Sequence, residues 1–257
     1  MKVVVLAGGF GTRISEESHL KPKPMVEIGD MPILWHIMKY YSSFGFNEFI
    51  ICLGYKQYVI KEFFAEYFLH TSDVTINLKN NEMKVLNKKG EDWSVTLIDT
   101  GLNTMTGGRI KRVLDYIPED DFFLTYGDGL SNVDLNKLLE FHKNHKKIAT
   151  ITTVSISSMK GVLDISNDNV VTSFREKEAS DEAIINGGYM VINKKIGNYI
   201  KGDEIALEKG PFSALAGERE LMSFRHKGFW QCMDTQREMK LLNELWASGK
   251  APWKVWE

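Results

Sequence analysis

The chain opens with an uninterrupted β-branched run, Val3-Val-Val-Leu6, that passes straight into Ala7-Gly-Gly-Phe-Gly11. An apolar run without polar alternation suits a strand covered on both faces, as in a parallel sheet. Parallel neighbours need crossover helices, and the sequence supplies them. Asp30 and Pro32 mark a helix start, Ile33, Leu34, Ile37, Met38 and Tyr41 recur at helical spacing, and Gly45 is placed to stop the helix. Residues 48–53 read as a second strand. Residues 56–69, with Val59, Phe63 and Tyr67 at i, i+4 and i+8, read as a second helix. The βαβα rhythm predicts an α/β fold: a Rossmann-like, mainly parallel sheet flanked by helices.

Further along, residues 74–78, 83–86 and 93–98 alternate polar and apolar between turn-forming stretches, which predicts a β-hairpin insertion over about residues 72–106. A helix over 108–116 and a strand over 122–126 follow, the strand ending in Gly127-Asp128-Gly129. Leu135, Leu138, Leu139 and His142 share a helix face, and 148–154 is another strand. Short strands at 162–165, 170–174 and 188–192 predict an antiparallel extension, within a C-terminal part spanning about 155–257. The last helix is expected over 236–247. With no linker, repeat or low-complexity tract, one domain over 1–257 is the expectation, and 43% hydrophobic content is ample for its core.

A net charge of -2 gives no bulk reason to hold nucleic acid or an anionic membrane, so anion binding has to be local. Cys52 and Cys232 have no neighbouring cysteine to form a metal pair and read as free thiols of a cytoplasmic protein. The N-terminal apolar run is too short for a membrane span.

A glycine turn at a strand end can aim backbone N–H groups at phosphate oxygens. No Walker A loop is present, and the third glycine of a dinucleotide fingerprint is replaced by Ile14. Downstream, Arg13 offers a planar fork and Lys23 a point charge. Pro22 and Pro24 flank Lys23, which predicts an extended backbone there and a placed lysine, the second half of a triphosphate clamp.

With Leu6-Ala-Gly-Gly-Phe-Gly-Thr-Arg13, Lys21-Pro-Lys-Pro-Met-Val-Glu-Ile-Gly29, Thr125-Tyr-Gly-Asp-Gly129, Phe174-Arg-Glu-Lys177, Ile185-Asn-Gly-Gly188 and Gly228-Phe-Trp-Gln-Cys-Met-Asp-Thr235 in order, the chain resembles the sugar-1-phosphate nucleotidyltransferases nearly end to end. The resemblance implies the nucleotide-diphospho-sugar transferase fold. It further implies a Mg²⁺-assisted reaction of CTP with α-D-glucose 1-phosphate that gives CDP-glucose and pyrophosphate. The same chemistry with UTP or dTTP, or a non-catalytic nucleotide-sugar-binding protein, are the alternatives. By resemblance the nucleotide meets Leu6, Ala7, Gly8, Gly9, Phe10, Gly11, Thr12, Arg13, Lys23, Thr104, Arg109, Gly127 and Asp128, and the metal ligands are Asp128 and Asp234. Arg13, Lys23, Asp128, Lys177 and Asp234 carry catalysis.

The sugar phosphate falls to Gly161, Glu176, Lys177, Asn186, Gly187 and Gly188, with Lys177 on the attacking phosphate and Glu176 on sugar hydroxyls. Trp230 is either a wall of that site or, beside Phe229, part of the core. Arg109 either reaches nucleotide, in its own or a neighbouring subunit, or begins a basic helix face with Lys111 and Arg112. The family's usual Glu-Lys-Pro reads Glu176-Lys177-Glu178, and Met159-Lys160 stand where relatives often carry Arg-Phe. A homo-oligomer, with a hexamer among the candidates, and a role in lipopolysaccharide O-antigen or other surface-polysaccharide synthesis complete the expectation.

Overall fold

The apolar run at the N-terminus is buried on both faces because helices cover both sides of the sheet it enters. A computed structural model describes residues 1–11, 21–87, 90–156, 162–165, 171–175 and 183–256. Numbered in chain order, the seven strands of its main sheet are β1 (Val3–Leu6), β2 (Glu48–Leu53), β3 (Ser94–Asp99), β4 (Asp121–Tyr126), β5 (Ala149–Ile156), β6 (Ala183–Asn193) and β7 (Leu221–His226). They lie in the order β7-β5-β6-β4-β1-β2-β3. The pairs β4-β1, β1-β2, β2-β3 and β5-β7 are parallel, and β6 alone runs against its neighbours. Val3 and Val5 pack into one core cluster and Val4 and Leu6 into the other. Each fully buried Val or Leu contributes about 1.5–3 kcal/mol, so alternation would have left one helical layer without a partner.

The helices are α1 (Ile33–Ser42), α2 (Gln57–Ala65), α3 (Tyr67–Thr71), α4 (Thr106–Val113), α5 (Leu135–His145), α6 (Pro211–Gly217) and α7 (Gln236–Ala247). Ile33, Leu34, Ile37 and Met38 of α1, Leu135 and Leu138 of α5 and Leu242 of α7 cover one face of the sheet. Ile110 and Val113 of α4 with Phe212 and Leu215 of α6 cover the other.

Four details depart from the sequence reading. The helix expected over 56–69 breaks at Glu66, which has φ -102° and ψ 12° and joins α2 to α3. Residues 74–77 and 82–85 do form a hairpin, but the third alternating run, β3, pairs with β2 as the edge of the main sheet. Residues 162–165 and 171–175 pair with each other, whereas the strand expected at 188–192 is part of the eleven-residue β6, inside the main sheet. Strand β7 and helix α6 have no counterpart in the expectation.

The C-terminal tail is clamped to α1. Trp253 is fully buried and donates its Nε1–H to Nδ1 of His36 at 3.4 Å, so His36 Nε2–H donates to the Ile28 carbonyl at 2.8 Å. Trp246 and Trp253 stack at 6.4 Å, and Gly29, at φ +62°, leaves room for the Trp246 ring where a Cβ would overlap it.

Candidate active site

Two clefts open where β1, β2 and β4 end, the carboxyl edge at which open α/β sheets take ligands. The narrower, about 380 Å³, is lined by Leu6 to Gly11, Leu102 to Thr106, Arg109, Lys23 and Gly127. The wider, about 710 Å³, is lined by Asn186 to Tyr189, Trp230, Cys232 and the end of β5. Tyr126, Asp128 and Asp234 line both.

At this junction Lys23, 8% exposed, donates from Nζ to Asp128 Oδ2 at 2.5 Å and to Asp234 Oδ1. Burial opposes the ammonium charge, but Asp128 and then Asp234 outweigh it and hold the group above its ordinary value. The prolines act differently from the expectation. Pro22 is extended (φ -65°, ψ 147°), yet Lys23–Met25 form a single 3-10 turn, closed by Met25 N–H on the Pro22 carbonyl at 2.8 Å. That turn, and not an extended segment, carries the lysine inward.

The two carboxylates converge because their backbones are tied together. Trp230–Cys232 pairs antiparallel with Gly129–Ser131, Cys232 opposite Gly129, and Met233 N–H donates to the Asp128 carbonyl at 2.9 Å. Thr235 caps α7 in a capping box, with Glu238 accepting the N–H groups of Asp234 at 2.7 Å and Thr235 at 2.8 Å. Because Thr235 does the capping, the Asp234 carboxylate is left to face Lys23. Two hard oxygen donors meeting at one point fit Mg²⁺, which takes one or two protein carboxylates and completes its shell with phosphate and water.

The glycine loop is fixed from behind. Leu6 C=O accepts from Gly127 N–H at 3.1 Å, and Gly8 C=O accepts from Tyr55 N–H at 3.1 Å and from Arg109 at 3.0 Å. A Cβ on Gly8 would overlap the Arg109 guanidinium, whereas one on Gly9 would meet nothing within 4 Å among the described residues, and Gly9 has no positive φ to require glycine. Packing therefore explains Gly8; beside Gly9 the described residues leave open space. Among the described residues the amides of Gly8, Gly9, Phe10 and Gly11 donate no hydrogen bond, although all four residues line the cleft.

In the wider cleft, three residues of β6, Gly187 to Tyr189, stand opposite Thr152 alone, a bulge that opens the strand next to the carboxylates. Asn186 Oδ1 accepts from Gly188 N–H at 2.9 Å, and Trp230 Nε1–H donates to the Gly187 carbonyl at 2.7 Å. Trp230 is therefore both a wall and a strut. The Cys232 thiol is pushed up to about 12 by burial and by Glu238, Asp234 and Asp128, so it stays neutral and is no nucleophile.

Of the residues expected at the site, Leu6 to Gly11, Lys23, Thr104, Arg109, Gly127, Asp128, Asn186, Gly187, Gly188, Trp230 and Asp234 are gathered around these two clefts. Thr12, Arg13, Gly161, Glu176 and Lys177 lie outside the described residues, as do Met159, Lys160 and Glu178. Sequence reasoning missed Tyr126, the partition between the clefts. Its hydroxyl donates to Glu208 Oε1 at 2.5 Å, and Glu208 also accepts from Thr106 at 2.8 Å. Tyr126 stands within the Thr125-to-Gly129 motif, but its role depends on Glu208, 82 residues away.

The nucleotidyl transferase family profile matches residues 2–231. Over the full length of both chains, the sequence is 54% identical to the glucose-1-phosphate cytidylyltransferase of Salmonella typhimurium. It is 31% identical, over 77% of this chain and 78% of the other, to the D-glycero-alpha-D-manno-heptose 1-phosphate guanylyltransferase of Campylobacter jejuni. The fold superposes on HddC from Yersinia pseudotuberculosis complexed with GMP-PN at a TM-score of 0.68 and 26% identity, covering 95% of this chain and 99% of that one.

Proposed function

This chain belongs to the nucleotidyl transferase family, and on that premise we propose that it transfers CMP from CTP to α-D-glucose 1-phosphate, giving CDP-glucose and pyrophosphate. The observation that carries the reading is the buried Lys23 held by Asp128 and Asp234 where the two clefts meet. A triphosphate in the narrow cleft and a sugar phosphate in the wide one would bring their reacting ends to this junction. The name of the full-length relative at 54% identity supports the choice of substrates.

The sugar phosphate oxygen attacks the α-phosphorus in line; the new O–P bond forms as the bond to the β-phosphate breaks, and pyrophosphate leaves with the electron pair. The loop's role is to bind: the amides of Gly9, Phe10 and Gly11, which donate to no described residue, take phosphate oxygens, with Arg13 as their cationic partner. Lys23 neutralises charge that grows on the phosphates, a contribution worth most in a site shielded from water. Asp128 and Asp234 would hold Mg²⁺, which when bound neutralises phosphate charge further. On the other side Lys177 orients the attacking phosphate, Glu176 and the Asn186-Gly187-Gly188 bulge take sugar hydroxyls, and Trp230 walls the ring. Thr104 borders the nucleotide.

Among the described residues no helix is long and apolar enough to cross a membrane, in keeping with a cytoplasmic enzyme. The exposed Ile76, Leu78 and Met83 of the hairpin support a homo-oligomer, which light scattering measures directly. Pyrophosphate release is the functional test, with glucose 1-phosphate, Mg²⁺ and each of CTP, UTP and dTTP in turn. Release with CTP above the other two is expected. Preference for UTP or dTTP overturns the base, and no release with any nucleotide overturns the enzyme.

A further inference from the structure

Arg109 is 4% exposed, and among the described residues no carboxylate is a hydrogen-bond partner of it. Its four terminal N–H groups meet four neutral oxygens: Leu53 C=O at 2.8 Å, Thr100 Oγ1 at 2.7 Å, Gly8 C=O at 3.0 Å and Leu102 C=O at 3.3 Å. Leu53 ends β2 and Thr100 follows β3, both anchored in the sheet. Gly8 and Leu102 belong to the two stretches that line the narrow cleft. One planar fork thus ties both lining stretches to two strand ends, a geometry that a lysine ammonium would not reproduce.

The Gly8 carbonyl also accepts from Tyr55, so its direction is fixed twice. The peptide bond that follows is trans, and in a trans peptide the N–H points opposite to the C=O. Holding the Gly8 oxygen toward the guanidinium therefore aims the Gly9 N–H the other way, away from the chain that holds the loop from behind. Burial weighs against the guanidinium charge and Asp99 acts on it without touching it, and an anion on that N–H would add a second negative charge across a single peptide plane.

We propose that Arg109 is a positioning residue of the nucleotide cleft: it aims the Gly9 amide at a phosphate by fixing the Gly8 carbonyl, and that phosphate adds to Asp99 as a counter-charge of its guanidinium. The proposal rests on the reading that the narrow cleft takes a nucleoside triphosphate. It differs from a direct side-chain contact with nucleotide, since the four terminal N–H groups are spent within the chain.

The test uses the full-length protein with Arg109→Ala, Arg109→Lys and Thr100→Val, the last removing one acceptor while keeping the charge. Hydrogen exchange of the Ala7 and Tyr55 amides, which donate to Cys52 and Gly8, is followed without nucleotide, and KM is measured for CTP and for glucose 1-phosphate. In Arg109→Ala both amides are expected to exchange at least about tenfold faster, the scale of losing charge-assisted hydrogen bonds. KM for CTP rises by a similar factor while KM for glucose 1-phosphate holds, and added guanidinium, but not ammonium, lowers KM for CTP again. Arg109→Lys falls between, and Thr100→Val shows the same pattern more weakly; these two decide the matter if the alanine variant does not fold. Unchanged exchange with a raised KM for CTP would mean direct contact and overturn the proposal. Faster exchange with an unchanged KM for CTP would leave only a stabilising role and overturn it equally. If no variant or parent turns over CTP, the exchange data, with titration of the parent and variants by inorganic triphosphate, still decide the positioning role, so its failure is separable from that of the substrate assignment.

Discussion

The narrow cleft is bordered by a glycine loop that a buried arginine holds from behind, whereas the wide cleft is bordered by a bulge in β6 that a tryptophan side chain braces. In the first, Arg109, Tyr55 and Gly127 fix the loop by binding its carbonyls. In the second, Trp230 holds Gly187, and Asn186 braces the Gly188 amide. A backbone wall offers nearly the same groups whatever residues carry it, provided that glycines keep it open. A side-chain wall can be changed residue by residue.

The largest expected effect is the one that ignores the difference. Asp128→Asn, Asp234→Asn and Lys23→Ala all strike the junction shared by the clefts, and each is expected to lower kcat at least about a hundredfold, the scale of one transition-state electrostatic contact. Pyrophosphate-release kinetics measure it, and a rate near that of the parent in any of the three removes that residue from the reaction.

Glycine substitutions should then separate the clefts. Gly9→Ala meets nothing among the described residues, so thermal unfolding should be unchanged, while KM for CTP rises about tenfold or more through crowding of the bound phosphates. Gly8→Ala collides with Arg109 and should lower the melting temperature as well, by several degrees for about 1–3 kcal/mol of overpacking. Neither should change KM for glucose 1-phosphate. If both variants melt like the parent, the loop is not held from behind in the way the carbonyl contacts imply.

How much of this was legible in the sequence follows the same division. Strand β1 was readable because both its faces are buried, and Gly8, Gly9, Lys23, Asp128 and Asp234 because each sits in a compact motif. Strand β3 read as part of a hairpin because it is an edge strand: its partly exposed residues alternate as those of a free hairpin do. Within β6, Gly187-Gly188 reads as a turn, yet the chain continues through it as a bulge opposite Thr152. Strand β7, Leu221-Met-Ser-Phe-Arg-His226, is a partly exposed edge strand with two basic side chains, too polar to stand out. Arg109 looked like the start of a basic helix face because its partners are mostly carbonyl oxygens, which a sequence does not display.

A smaller effect tests the wide cleft by itself. Trp230→Phe keeps the aromatic wall but loses the hydrogen bond to Gly187 C=O, worth about 1 kcal/mol or roughly a fivefold change. KM for glucose 1-phosphate should rise by that factor with KM for CTP unmoved. A matching rise for both substrates would mean that the bulge and the loop respond as one body, and the contrast between the walls would fail.

The smallest catalytic effect belongs to a group that lines neither cleft. His36 is fully buried beneath the tail that follows α7, and burial lowers its pKa to about 4. Its unfolded value is near 6.5, so between these pH values the unfolded chain binds the proton that the folded one refuses. Stability from this group is fully present above about pH 6.5 and is lost as the pH falls toward 4, by about 3 kcal/mol in all. Replacing it with a side chain that can still hydrogen-bond but does not titrate, His36→Gln, should flatten the fall in melting temperature across that window. Near pH 7.5 the kinetics of both substrates should stay within about twofold of the parent, since His36 lines neither cleft. A change in one KM without the other would place His36 in the support of a single cleft, and an undiminished pH dependence would assign the acid sensitivity to other groups.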